Sequence, residues 1–261
     1  MIKFFRKIRQ NLLAENKTGK YLKYAIGEIL LVVIGILFAL QINNWNNNKN
    51  EKAEIENYYT KIHEEIAITQ ERSNRFKASL DTLNQHNNRS LDIINLKNKD
   101  SLCLLEETLG ALGTAYTSDF IFPIINEFLN EGYLAKIKND SLKLGFQYFS
   151  MALNDLNGHD EYISDQYSTS IEPYFYNTIN YAEVVHGGAD LNELKTGGPS
   201  TNYELFYDNL ELWNLLTFKV ETTIHQQRKI DRLSRILEFV DEKIQEKLNC
   251  ELPPDKDIAN L

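Results

Sequence analysis

Five histidines, His63, His86, His159, His186 and His225, are the side chains of this chain best suited to hold a metal or move a proton near neutral pH. None stands two to five residues from another. His63-Glu64-Glu65 sets an imidazole beside carboxylates but lacks the second histidine one helical turn on that a zinc-binding helix uses. His159-Asp160-Glu161 is the most metal-like cluster, yet a solvated helix face accounts for it better. His186-Gly187-Gly188 has the look of an oxyanion loop, but no Gly-x-Ser-x-Gly elbow accompanies it. Phosphate-binding loops and GxGxxG turns are missing as well. The aromatic cluster of Tyr162, Tyr167, Tyr174, Phe175, Tyr176 and Tyr181 could line a ligand pocket, although core packing is its commoner use. No catalytic residue, metal ligand or cofactor is expected, and the chain reads as a non-enzyme.

What must carry these residues is set by a run at the other end of the chain. Tyr24 to Ile42 is 19 residues of almost purely apolar sequence with one charge, Glu28. At about 1.5 Å per residue it spans the ~30 Å hydrocarbon core of a bilayer as a helix. Lys3, Arg6, Lys7, Arg9, Lys17, Lys20 and Lys23 precede it, opposed only by Glu15. An asparagine-rich stretch, Asn43 to Asn48, follows. The positive-inside rule puts residues 1–23 in the cytoplasm and the rest outside, in a bacterial envelope the periplasm. Tyr21, Tyr24 and Trp45 fall where interfacial aromatics belong. A cleaved signal peptide fits less well, because the apolar stretch is long and no small-x-small site follows it.

Three features of the span could do more than anchor. Glu28 lies about a turn inside the cytoplasmic edge, where an acid is costly unless it reaches headgroups or pairs with Lys20 or Lys23. Gly35 and Ala39 form a small-xxx-small pair, with Gly27 two turns earlier, and would let two spans approach closely. With Trp45 they make a candidate membrane and oligomer interface. The arm is amphipathic, Ile2, Phe5, Ile8 and Leu12 sharing a stripe while Lys3, Arg6, Lys7 and Arg9 face anionic lipid of the inner membrane.

Beyond residue 46 there are 35 acids and 21 bases, which argues against nucleic acid as a partner. The spacing predicts an all-α outer part at 51–250, joined by a linker at 43–50 to the 24–42 helix and closed by a polar tail at 251–261. Ile55, Tyr59, Ile62, Ile66, Phe76, Leu80, Leu83 and Ile94 follow a 3–4 alternation, with Thr69, Ser73, Asn87 and Ser90 in intermediate slots. That is a long coiled-coil-like helix whose polar slots leave room for a kink at 84–90. Short helices are expected at Ser101–Leu112, capped by Asp100 or Ser101, and from Ser118 or Asp119 to Glu131, with Gly132 as the C-terminal cap. Asn139 or Asp140 caps a helix from Ser141 to about Ser170, stopped by Pro173. Residues 174–185 read as helix and 186–199 as loop. Thr201 and Glu204 form a capping box for a last helix to Asn249. Its stripe is Phe206, Leu210, Trp213, Leu216, Val220 and Ile224, then Ile230, Leu233, Leu237, Val240 and Ile244. The two long helices pair antiparallel. Cys103 and Cys250 then fall at opposite ends as unpaired thiols, with Cys103 among Leu102, Leu104 and Leu105 expected in the core.

The opening MIKFFRKIRQNLLAENKTGKYLKYAIGEILLVVIGILFALQINNWN is similar, nearly residue for residue, to an uncharacterised family of single-pass membrane proteins of Gram-negative envelopes. Ile125 to Phe149 resembles that family's pattern of glycine, leucine and Ile-Lys-Asn before a helix. Asn46–Asn48 depart from its usual charged linker. The resemblance implies an inner-membrane anchor with a periplasmic helical domain and no assigned activity. Its conspicuous positions here are Gly27, Glu28, Gln41, Asn43, Asn44 and Trp45, at the membrane edge. The expectation is a membrane-anchored helical interaction or scaffold module, self-associating or bound to an envelope partner. The competing expectation is a sensory or ligand-binding domain that signals through a partner, since the arm is too short to carry an output domain.

Overall fold

The computed structural model describes residues 18–185, 195 and 197–251. The basic arm with Lys3, Arg6, Lys7 and Arg9, the His186 loop at 186–194 and the tail at 252–261 lie outside the described residues. The described chain is all-α, with no strand among its residues. Helix α1 spans Thr18–Leu96 and α2 Leu105–Thr108, the latter flanked by 3-10 turns at Lys99–Leu104 and Leu109–Ala111. α3 is Pro123–Asn130, α4 Asp140–Gln166, α5 Glu172–Thr178, α6 Tyr181–Val184 and α7 Leu210–Glu251. The chain divides into two compact units between Asn57 and Tyr58.

The first unit holds the apolar part of α1. An 18-residue window there has mean hydropathy 2.5 and none of it is buried. It is the one helix among the described residues long and apolar enough to cross a membrane.

The second unit is built on the remainder of α1 and on α7. Tyr59, Ile62, Ile66, Thr69, Ser73, Leu80, Leu83, Asn87, Ser90 and Ile94 are all buried, so the 3–4 spacing is read out as one inward stripe. The helix runs through 84–90 without a break. Its partner is α7, and the direction is antiparallel: His63 meets Asp241, Ser73 meets Ser234, Lys77 meets Asp231 and Asp81 meets Gln227. Each step up one helix is a step down the other.

The far half of α7 buries Ile230, Leu233, Leu237, Val240 and Ile244 as expected. The near half corrects the expected stripe. Leu210 is 70% exposed, and Trp213 and Ile224 are each 37% exposed. Leu216 is buried as expected, and the other buried positions are Leu212, Lys219, Thr222, Thr223 and Gln226, all but Thr222 continuing the far half's heptad without a phase change. Uniform register outweighs hydrophobicity, so polar side chains are carried inward.

Local chemistry explains the other corrections. Asn98, not Asp100 or Ser101, caps the Lys99 turn by accepting the Asp100 N–H at 3.0 Å. Cys103 on that turn is an exposed free thiol rather than a core residue, because a 3-10 turn rotates it away from Leu105. Residues 118–122 are not helical; α3 begins at Pro123, whose fixed φ suits a first helical position. Gly132 follows α3 at φ 77°, the left-handed conformation that glycine adopts at least cost. Asn139 caps α4 by accepting the Leu142 N–H at 3.1 Å.

Pro173 does not end the helical path. A π turn at Tyr167–Ile171 precedes it, in which the Glu172 N–H donates to the Tyr167 carbonyl. Pro173 then lies in the first turn of α5, the part of a helix that tolerates proline best. Thr201 and Glu204 do not open α7 either. Asn202 caps a short 3-10 turn at Tyr203–Phe206, and Asn209 caps α7 by accepting the Leu212 N–H at 2.9 Å.

Candidate functional site

In the first unit, Ile29 through Ile42 turn every large apolar side chain outward, from 42% exposed at Ile34 to 66% at Leu31. A continuous apolar helix surface of this length has no aqueous role, and exposed patches of such size mark membrane or protein contact. A Cβ added at Gly27 or Gly35 would meet nothing within 4 Å, so both faces are open to a neighbouring helix. Ala39 is exposed on the same segment and Glu28 is half-buried. Trp45 is 67% exposed, with the Lys49 ammonium 5.9 Å from its ring centroid.

In the second unit the functional candidates form a polar seam through the core. Asp160 on α4 is buried and holds three partners. One carboxylate oxygen accepts from the Ser118 N–H at 2.9 Å and from the Ser118 hydroxyl. The other accepts from Gln226 Nε2 at 2.7 Å, and that amide also donates to the Tyr116 carbonyl at 2.9 Å. One carboxylate thus pins the 114–122 loop to both α4 and α7. His159 next to it donates from Nε2 to the Thr222 carbonyl at 2.9 Å, which makes it a helix tie and not part of a metal triad with Glu161.

Lys219 is the outlier of the seam. It is 2% exposed, and burial alone pushes its ammonium down to about 8. The antiparallel register set by Asp81–Gln227 brings it to the level of residues 87–90 on α1. Asn87 is fully buried, and neither its side-chain oxygen nor its nitrogen has a hydrogen-bond partner. The Asn84 oxygen is orphaned in the same way. This stretch of the α1–α7 contact therefore forgoes hydrophobic burial without completing its hydrogen bonds, a cost of several kcal/mol in order of magnitude. Extending the heptad backward from Ile230 would have found Lys219 from sequence.

A second long-range tie anchors α3. Glu65 on α1 accepts the Ile124 and Ile125 N–H groups at 2.8 and 3.0 Å, one on each carboxylate oxygen. Burial raises its carboxyl above the ordinary value, against the pull of those two donors. His63, two residues before the same acid in sequence, turns instead to Asp241 at 2.6 Å.

The aromatic cluster is divided. Tyr174 and Phe175 are core residues, and burial pushes the Tyr174 hydroxyl up to about 12. Tyr176, Tyr162 and Tyr181 are 77%, 51% and 45% exposed. Tyr162 lines a groove of about 840 Å³ between α4 and α7. Among the described residues no group of three or more histidine, cysteine or acidic side chains is placed to hold a metal ion. The chain matches no protein-family model, no curated protein and no solved structure. The described residues form an all-α protein with one helix long and apolar enough to cross a membrane.

Proposed function

We propose that this protein is a single-pass, membrane-anchored helical interaction module. In this reading residues 24–42 cross the bacterial inner membrane, residues 1–23 lie in the cytoplasm and the unit from Tyr58 onward is periplasmic. The observation that carries it is the unbroken outward apolar face from Ile29 to Ile42. Seven bases before that face and the asparagine stretch after it support the orientation. The resemblance of residues 1–46 to an envelope family of single-pass proteins supports the compartment. The α1–α7 antiparallel pair supports a coiled-coil-like scaffold rather than an enzyme.

Self-association through Gly27, Gly35 and Ala39 belongs to the same reading, because no side chain obstructs that face. Gly35→Leu should abolish crosslinked oligomers in membranes; oligomers that survive both Gly35→Leu and Glu28→Leu would remove self-association from the proposal.

Orientation is tested with Cys103, an exposed free thiol. In a Cys250→Ser background, a membrane-impermeant maleimide should label Cys103 in intact spheroplasts. Labelling only after lysis would reverse the topology, and release of the chain by alkaline carbonate would refute the anchor.

A further inference from the structure

We propose that the groove between α4 and α7 beside the π turn receives a basic amphipathic helix from a partner protein. The inference deepens the interaction-module reading and rests on it. Tyr162, Leu215 and Phe218 form the apolar wall of the groove, and Asp165 and Glu211 lie on it from opposite helices. No lysine, arginine or histidine lines it. Neither Asp165 nor Glu211 makes a side-chain hydrogen bond or ion pair among the described residues.

The two helices run antiparallel here, since Asp155 pairs with Lys229 and His159 with Thr222. Tyr162 and Phe218 therefore share one end of the groove, and Thr169 and Glu211 the other. From Tyr162 to Thr169 is about two helical turns. The seat between two antiparallel helices is where a bundle takes a third, apolar stripe inward. α7 already spends its inward stripe on Leu212 and Leu216. Leu210 and Phe218, 70% and 49% exposed, belong to a second apolar face that the described residues leave largely open.

Charge decides the occupant. Residues 46 onward carry 35 acids against 21 bases, so a second copy would bring acid to acid. A partner helix with lysines or arginines flanking an apolar stripe satisfies both the wall and the two unpaired carboxylates. The π turn that supplies Thr169 at the groove mouth is a local departure from α geometry of the sort found at binding sites.

The test uses the full chain in nanodiscs of zwitterionic lipid, with empty nanodiscs as the baseline. The probes are two fluorescent helical peptides of roughly 18 residues, about five turns, sharing one leucine face, with lysine or glutamate on the other. The lysine peptide should bind, and the glutamate peptide roughly tenfold or more weakly. Asp165→Asn combined with Glu211→Gln should weaken the lysine peptide by about tenfold. Phe218→Ala should weaken it further, with helicity by circular dichroism unchanged. Equal binding of both peptides, no binding of either, or an affinity indifferent to all three substitutions would overturn the proposal. Loss of chain self-association in Phe218→Ala would assign the groove to a second copy and overturn it too. Peptide affinity does not depend on the orientation of the chain, so a reversed Cys103 labelling result would leave this outcome separately readable.

Discussion

Asp160 of α4 and Gln226 of α7 are joined by a 2.7 Å hydrogen bond that is buried between two helices and shared with a loop. The same carboxylate holds Ser118, and the same amide holds the Tyr116 carbonyl. Deleting one member leaves several buried groups unpaired. Asp160→Ala should cost about 2–4 kcal/mol in urea unfolding, with Gln226→Ala costing less. The double variant should fall short of the sum by at least ~0.5 kcal/mol, the mark of a coupled network. Additive losses would show that the loop is held elsewhere.

The Glu65 bridge makes a comparable prediction at the start of α3. An acid from a distant helix performs the capping that Phe122, at the N-cap position, cannot. Glu65→Ala should destabilise by about 1–2 kcal/mol and raise hydrogen exchange at Ile124 and Ile125 before the rest of the chain. Glu65→Gln, which retains one acceptor, should cost less. Exchange at α3 unchanged in the alanine variant would show that Pro123 alone suffices to start the helix.

The α4–α7 contact can be probed with two glycines of the same helix. A Cβ on Gly145 would sit 2.9 Å from Val240 Cγ2 and 3.3 Å from the Phe239 ring, whereas one on Gly158 would meet nothing within 4 Å. Gly145→Ala should therefore destabilise by about 1–3 kcal/mol through overpacking. Gly158→Ala should stabilise by roughly 0.5–1 kcal/mol, as an alanine in an open helix position does. Thermal unfolding of the two variants should move the midpoint in opposite directions.

These relationships differ in how far the sequence revealed them. The 3–4 spacing from Tyr59 to Ile94 marked α1's buried face, polar slots included, because a heptad is local and repetitive. Gly132 and Asn139 were legible for the same reason: each cap acts within one turn. The failures are non-local. Leu210 and Trp213 look like stripe residues until α7's register, set by packing 20 residues away, turns them out. Thr201 matches a capping box, but its hydroxyl is taken by the Asn180 N–H at 2.8 Å across a loop. Of the candidate site, the outward apolar face from Ile29 to Ile42 was legible. The Asp160 and Glu65 ties were not, since nothing local distinguishes an acid that will cap a remote helix from one that will face water.

Lys219 supplies a pH prediction whose sign can be worked through. Its folded-state value is about 8, against 10.5 for the ordinary side chain. Between those values the unfolded chain binds the proton and the folded chain does not, so stability rises with pH across that window and is flat below it. The full rise is on the order of 3 kcal/mol. Burial also raises Tyr174 and Tyr203 to about 12, so their folded forms keep a proton that the unfolded chain loses near pH 10. Those two groups lower stability above pH 10. The net profile should climb from pH 8 to about 10 and then turn down. Lys219→Met should remove the climb, leave the decline, and raise stability at pH 7 by roughly 2–3 kcal/mol, because methionine carries no charge to desolvate. Urea midpoints for both proteins from pH 7 to 11 decide it. A climb that persists in Lys219→Met would mean that another group titrates in the seam, and a loss of stability at pH 7 would mean that the surroundings of the Lys219 ammonium offset its burial.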